Sequence, residues 1–366
     1  MRILEEVQWL NEHGHQGWIG ARRGSKILEE ARNQNIPHLE VNLRSNINLA
    51  STFKLLSFIR QNKIDAVNTH SSKDAWHGAW LRPFGIPVVR TRHVVQAVKP
   101  GFLHKLVWTA GCDHIVATAD AIRRQLVEAD CGPESKFSVI GEWIDPVRFK
   151  PREPSAALRS EWDARTHRTA GLIGMFRSDK GQRHFVEAGL RLAGKFSDAR
   201  FVLVGGDVGS GNLRYALQER VKEARAEKHF FLYSYRSDVP EFIASLDVVV
   251  IASTGTEAQS RIAPQAFAMR RPVVATRIGG VPELVRDLET GLLVPPGDSE
   301  AMARAIEKTL ADVEATRDRV KNAYAFAMRE LNFDQKMRDT LNIYEKVAFR
   351  SEDSAAFDIR HSTFKK

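Results

Sequence analysis

Two rhythms of apolar and polar positions alternate along the chain. Short unbroken apolar runs give way to stretches whose apolar residues recur every three or four positions. The first rhythm fits strands buried on both faces of a parallel sheet, and the second fits amphipathic helices laid over it. In the first half the pattern predicts helices over 1–13, 26–33, 52–60, 103–111 and 121–129, and strands over 17–21, 38–43, 66–69, 88–92, 114–119 and 137–143. Ile3, Leu4, Val7 and Leu10 form one face of the first helix, and Gly14 ends it. A doubly wound domain normally opens on a strand, whereas this chain opens on a helix. Residues 150–155, with Pro151 and Pro154, read as a linker. Strands follow over 170–176, 201–205, 230–233, 248–252, 273–276 and 291–295, and helices over 184–193, 213–226 and 300–310. Residues 323–349 are mostly helical, and 350–366, polar and without period, read as a disordered tail.

Composition narrows this picture. A length of 366 residues suits two domains better than one. The net charge of +9 favours anionic partners. No nucleic-acid module is visible, so a diphosphate ligand and an anionic membrane face account for the charge better than nucleic acid does. Cys112 and Cys131 form no disulfide framework and read as structural thiols of a reducing compartment. No apolar run is long enough to span a bilayer, and no signal peptide opens the chain. The expectation is a cytoplasmic protein, peripheral at most at the inner face of the membrane.

Chemistry gathers at strand ends. Residues 253–283 lie between two buried strands and contain a loop that runs into a short helix, with Pro264 suited to its first turn. Such a loop favours anions through free N–H groups and the helix dipole. Glu257 in this loop would repel an anion, and as a pure acceptor it suits sugar hydroxyls. Arg177 and Lys180 follow the strand over 170–176 and precede a helix; they suit a diphosphate, or merely form a solvated turn. Residues 70–74 stand at a helix start, where Ser71, Ser72 or Asp74 serve as caps. Asp238 is placed to cap the helix that carries Pro240. The glycines after the strand over 201–205 lack the spacing of a dinucleotide fingerprint.

The string S-T-G-T-E-A-Q-S-R-I-A-P-Q-A-F-A-M-R-R-P-V-V-A-T-R-I-G-G-V-P-E resembles the Glu-x7-Glu segment of retaining, nucleotide-sugar-dependent glycosyltransferases of the GT-B fold. The resemblance implies an α/β protein of two Rossmann-like, doubly wound domains facing each other across a cleft. It assigns 1–149 to the acceptor side and 150–332 to the nucleotide-sugar, with a helix over 333–349 crossing back. It implies that Glu257 and His93 serve catalysis, Glu257 holding the donor sugar and His93 hydrogen-bonding the donor. Arg177 and Lys180 then bind the diphosphate. Backbone N–H groups of Ser260, Arg261 and Ile262 reach the donor, Gln265 reaches the ribose, Tyr235 and Arg236 meet the base, and Lys73 faces the acceptor. Gln265 replaces the second Glu of the pattern and Ser260 a usual Gly. Glu142 and Trp143 depart from the pattern and carry no assigned role. The first strand and its Gly-Gly turn are absent relative to the family, which reads as a truncated chain or a start placed too far downstream, ahead of natural loss. The implied activity is transfer of a hexose-type sugar, with retention, to a cell-envelope glycan or glycolipid of the lipopolysaccharide type, with no metal and no cofactor. Two other readings stay open: a nucleotide-sugar epimerase of the same fold, and a non-catalytic nucleotide-binding remnant.

Overall fold

The computed structural model describes residues 2–46, 48–98, 101–164, 168–209, 212–255 and 257–362, with side chains to 349. Two units emerge: Met1–His93, Ala97–Ile140 and Asp334–Lys366 form one, and Val94–Gln96 with Gly141–Phe333 the other.

The first unit runs α1 (Arg2–Glu12), β1 (Ile19–Ala21), α2 (Lys26–Asn33), β2 (His38–Glu40), α3 (Leu49–Gln61), β3 (Val67–Thr69), α4 (Ser72–Leu81), β4 (Val88–Arg92), α5 (Phe102–Thr109), β5 (His114–Ala117), α6 (Asp120–Glu128) and β6 (Phe137–Val139). All its pairings are parallel, in two sheets: β1-β2, and β3-β4-β5-β6. Leu4 and Val7 of α1 pack with Ile19, Ala21, Leu28, Ala31 and Ile36, so the face predicted for the first helix is its buried face. The start of α4 is fixed by a capping box in which the Ser71 hydroxyl accepts from the Asp74 N–H and the Asp74 carboxylate accepts from Ser71 N–H.

The second unit runs α7 (Ala156–Glu161), β7 (Thr169–Ile173), α8 (Gln182–Lys195), β8 (Arg200–Val204), α9 (Asn212–Glu223), β9 (Phe230–Tyr233), α10 (Val239–Ser245), β10 (Val248–Ile251), α11 (Ile262–Ala268), β11 (Val273–Thr276), α12 (Val281–Leu284), β12 (Leu292–Val294), α13 (Ser299–Ala311) and α14 (Val313–Glu330). Its six strands are parallel, in the order β12-β11-β10-β7-β8-β9. Counted within the unit this is 6-5-4-1-2-3, the Rossmann order, and the direction of winding reverses between β7 and β10. Every residue of β10 and β11 is buried, as apolar runs covered on both faces require.

The last helix, α15 (Phe333–Ser362), belongs from Asp334 onward to the first unit. Its Ile343 and Val347 pack on Val89, Val116 and Ile140. Its Tyr344 hydroxyl donates to the Glu6 carboxylate and accepts from Asn68 Nδ2 at 2.7 Å, while the Trp9 indole donates to Asp334 at 2.9 Å. Burial raises the Glu6 carboxyl above its ordinary range.

Several sequence expectations shift. The helix continues through 350–362, where a disordered tail is predicted; residues 363–366 lie outside the described residues. The chain passes to the second unit at Gly141, before the predicted boundary at 150. Two bonds explain this: Glu142 N–H donates to Gln259 Oε1 at 2.8 Å, and Ile144 N–H to the Leu331 carbonyl at 3.0 Å. They also shorten the strand predicted over 137–143. Asp238 stands at the start of α10 without a side-chain capping bond, because Arg236 engages its carboxylate. Both cysteines are buried and unbridged. Among the described residues no helix is long and apolar enough to cross a membrane.

Candidate functional site

In an open parallel sheet, ligands bind beyond the carboxyl ends of the strands where the winding reverses. In the second unit those ends belong to β7 and β10, and the loops leaving them are knitted together. Gly181, after the β7 loop, has a φ of +71°, and a Cβ there would lie 1.8 Å from the Ala252 carbonyl oxygen. Only glycine permits this approach. The Thr254 N–H donates to the Asp179 carbonyl at 2.8 Å and closes the second tie.

These ties bring Lys180 and Glu257, 77 residues apart in sequence, into contact. The Lys180 ammonium donates to Glu257 Oε2 at 2.5 Å, and the Ser253 hydroxyl donates to the same oxygen at 2.6 Å. Glu257 is 7% exposed. Both donors use Oε2; among the described residues none reaches Oε1, which keeps its lone pairs for hydroxyl donors. The backbone of Glu257 is held by the glycine pair of the I-G-G-V-P string. Gly280 N–H donates to its carbonyl at 3.3 Å, and a Cβ at Gly279, whose φ is +53°, would fall 1.7 Å from that oxygen.

The other residues singled out in this unit fare differently. The Arg177 guanidinium forks onto the Asp179 carboxylate, with Nη2 to Oδ2 at 2.7 Å and a second bond from Nε. That pairing holds the Asp179 carboxyl below its ordinary range. Any anion that reaches Arg177 therefore has to compete with Asp179 for it. Ser260 is buried, Arg261 faces the Glu142 carboxylate at 3.4 Å, and α11 begins at Ile262 with no side chain capping it. Glu142, given no role from sequence, thus positions Arg261. Gln265 Oε1 is buried and has no hydrogen-bond partner among the described residues. Leaving such a group unsatisfied costs roughly 1–3 kcal/mol. Tyr235 is exposed, and Arg236 is paired with Asp238 at 2.6 Å.

In the first unit, His93 stands one residue past β4 and meets a residue that the sequence reading left without a role. His70, one residue past the neighbouring strand β3, places Nδ1 3.0 Å from His93 Nε2, with the rings stacked at 22°. One nitrogen must donate and the other accept, so each ring fixes the tautomer of the other. Burial, then the charges of Arg2 and Arg92, push His93 down to about 4. Burial, His93 and Arg2 push His70 well below its ordinary range. At neutral pH the pair is uncharged, which suits hydrogen bonding rather than charge pairing. The signal was available: both predicted strands end one residue before a histidine. Lys73 is exposed in the first turn of α4.

Residues 1–148 match the family model described as Glycosyltransferase Family 4, and residues 167–312 match that described as Glycosyl transferases group 1. A D-inositol 3-phosphate glycosyltransferase from Mycobacteroides abscessus is 30% identical over 263 residues, which is 67% of this chain and 58% of that protein's length. The crystal structure of a glycosyltransferase from Rickettsia africae has a TM-score of 0.85 at 22% identity, covering 94% of this chain and 93% of that one. Anabaena HepE in complex with UDP-glucose has a TM-score of 0.79 at 21% identity, covering 93% and 95%. The structural neighbours share the GT-B fold.

Proposed function

We propose that this chain, which belongs to the family 4 and group 1 glycosyltransferases, transfers a sugar from a nucleotide diphosphate donor to a glycan or glycolipid acceptor of the cell envelope. The observation that carries the reading is the Lys180–Glu257 contact at 2.5 Å beyond the β7 and β10 ends. A sugar diphosphate presents a ring rich in hydroxyls beside a dianionic leaving group. Glu257 Oε1 accepts from the ring hydroxyls, and Lys180 turns toward the phosphates. Arg177 joins it when a phosphate displaces Asp179. The positive charge of Lys180 and Arg177 neutralises the diphosphate as it departs, the role a metal ion plays elsewhere. Gln265 Oε1, a buried acceptor without a donor, suits a ribose hydroxyl. Its amide fills the role of the carboxylate it replaces.

The reading is same-face attack with retention, the acceptor oxygen bonding to the sugar as the bond to the phosphate breaks and the leaving phosphate taking the acceptor proton. His93, kept neutral and oriented by His70, hydrogen-bonds the donor sugar. HepE, similar in fold, is described with UDP-glucose, so uridine diphosphate sugars are the first donors to test. The net charge of +9 supports an acceptor held at an anionic membrane face.

The test is transfer from UDP-sugars to envelope extract by purified wild-type protein and Glu257→Gln, with UDP binding measured in parallel. The expected result is a loss of roughly 10²- to 10³-fold in transfer with UDP binding retained. Normal transfer by Glu257→Gln overturns the assignment. Interconversion of free donor without acceptor would instead make the chain an epimerase.

A further inference from the structure

The loop that carries Glu257 is held at every second residue. The Glu257 carbonyl accepts from Gly280 N–H at 3.3 Å. Two residues on, the Gln259 side chain is turned inward, and the residue is 8% exposed. Two further on, Arg261 faces the Glu142 carboxylate at 3.4 Å. A buried amide has to find partners for both of its ends, and Gln259 finds them on two segments remote in sequence. Its Oε1 accepts from Glu142 N–H at 2.8 Å, and its Nε2 donates to Glu283 Oε2 at 2.8 Å. These partners settle which end of the amide is which, because a backbone N–H only donates and an ionised carboxylate only accepts.

Both partners are themselves anchored in the second unit. Glu283 lies in α12, and the glycine that opens this helix, Gly280, is the one that grips the Glu257 carbonyl. The turn 279–283 therefore holds the loop twice, by the backbone at 257 and by a side chain at 259. On the other side, a Cβ at Gly141 would lie 2.5 Å from Gln259 Oε1. A glycine lets the main chain come this close, and the approach brings Glu142 N–H within reach of the amide. The Glu142 carboxylate then meets Arg261, so one residue supports both 259 and 261. With both ends of its amide engaged, Gln259 acts on Glu257 and on the N–H groups of 260–262 through the main chain.

We propose that Gln259 is a positioning residue for sugar transfer. By tying the loop to Glu142 and Glu283 it sets the Glu257 carboxylate and the N–H groups of Ser260, Arg261 and Ile262 in place before a donor arrives. A loop fixed beforehand spares the donor the cost of ordering it. The proposal rests on the reading above, in which Glu257 meets the sugar ring while Lys180 and Arg177 meet the diphosphate. Loosening the tie therefore tells on the sugar more than on the nucleotide.

Gln259→Glu keeps the size of the side chain and an acceptor for Glu142 N–H, but sets one carboxylate against another at Glu283. Adding Glu283→Gln rebuilds both bonds with amide and carboxylate swapped. Gln259→Met removes both bonds at similar volume and without a like-charge pair. These full chains and the wild type are compared in amide hydrogen exchange without ligand, in calorimetric titration with UDP and UDP-glucose, and in transfer from UDP-glucose to envelope extract. In both single variants, exchange over 257–262 should quicken about tenfold while β7, β8, β10 and β11 keep their rates. UDP-glucose should bind about tenfold more weakly and UDP within about twofold of the wild type, with transfer reduced at least as much as donor binding. The swapped variant should recover most of each loss. Wild-type exchange over 257–262 in both single variants, equal weakening of UDP and UDP-glucose, or a swapped variant as impaired as Gln259→Glu overturns the proposal. A wild type that transfers no sugar counts against the reading above, and hydrogen exchange with its recovery in the swapped variant then decides whether Gln259 holds the loop.

Discussion

Replacing Lys180 with methionine keeps most of the side chain's volume and removes its charge. The Glu257 carboxylate, its side chain 9% exposed, is then left with the Ser253 hydroxyl as its remaining side-chain donor. Removing one partner of a buried ion pair costs about 3–5 kcal/mol, because the other charge stays buried without compensation. The Lys180 side chain is 25% exposed, so water reaches this pair and the lower end, about 3 kcal/mol, applies. For a unit of this size that corresponds to a fall of roughly 6–12 °C in melting temperature. Glu257→Gln leaves Lys180 able to turn to solvent and should cost about 1 kcal/mol. Once Glu257 is neutral, Lys180→Met has little left to disrupt. The double variant should therefore be more stable than the two single losses combined predict, by about 1–3 kcal/mol of coupling. Calorimetry of the four proteins at neutral pH reads this directly, and because the pair is largely buried the coupling should survive added salt. Two strictly additive substitutions, or a Lys180→Met protein melting with the wild type, would refute the claim that Lys180 and Glu257 form a buried, coupled ion pair.

Three further outcomes follow from the same geometry. Gly181→Ala places a methyl group on the Ala252 carbonyl at a positive φ, so it should lower stability by more than about 1–2 kcal/mol and weaken UDP binding in a titration calorimeter. Gln265→Leu removes a buried amide oxygen that has no partner among the described residues; it should hold or raise the urea midpoint while weakening UDP binding about tenfold, whereas unchanged affinity would dismiss the ribose role. The folded-state value of His93 is about 4 against an ordinary 6.5, so the unfolded chain binds more protons between those values. Stability is complete above the unfolded value and is lost as pH falls from about 6.5 toward 4; His93→Gln should flatten the urea midpoint across that window.

The runs Val248–Ile251 and Val273–Thr276 are legible as strands because burial on both faces writes an uninterrupted apolar signal. The helices between them follow from local periodicity in the same way. Which strands become neighbours is less visible, since it depends on contacts far apart in sequence. Lys180 and Glu257 stand out singly as chemistry-bearing residues, yet their contact follows only from β7 lying beside β10. The segment at Gly141 looked like the end of a strand because nothing local shows that the Gln259 amide, 117 residues from Glu142, captures it. Arg177 was different, since Asp179 two residues on was in plain view as a competing carboxylate. The His70–His93 pair needed only the comparison of two adjacent strand ends.

The joining of Glu6 and Asn68 to Tyr344 bears on how the protein is made. The second unit is nearly contiguous in sequence, and its sheet can close once its own strands have left the ribosome. The first unit emerges earlier but lacks an outer layer until α15 arrives, so Val89, Val116 and Ile140 stay uncovered meanwhile. The half translated first is thus finished last. Nascent chains stalled before residue 343 should be far more vulnerable to protease in their opening half than in the half that follows, the reverse of the usual order in which domains mature.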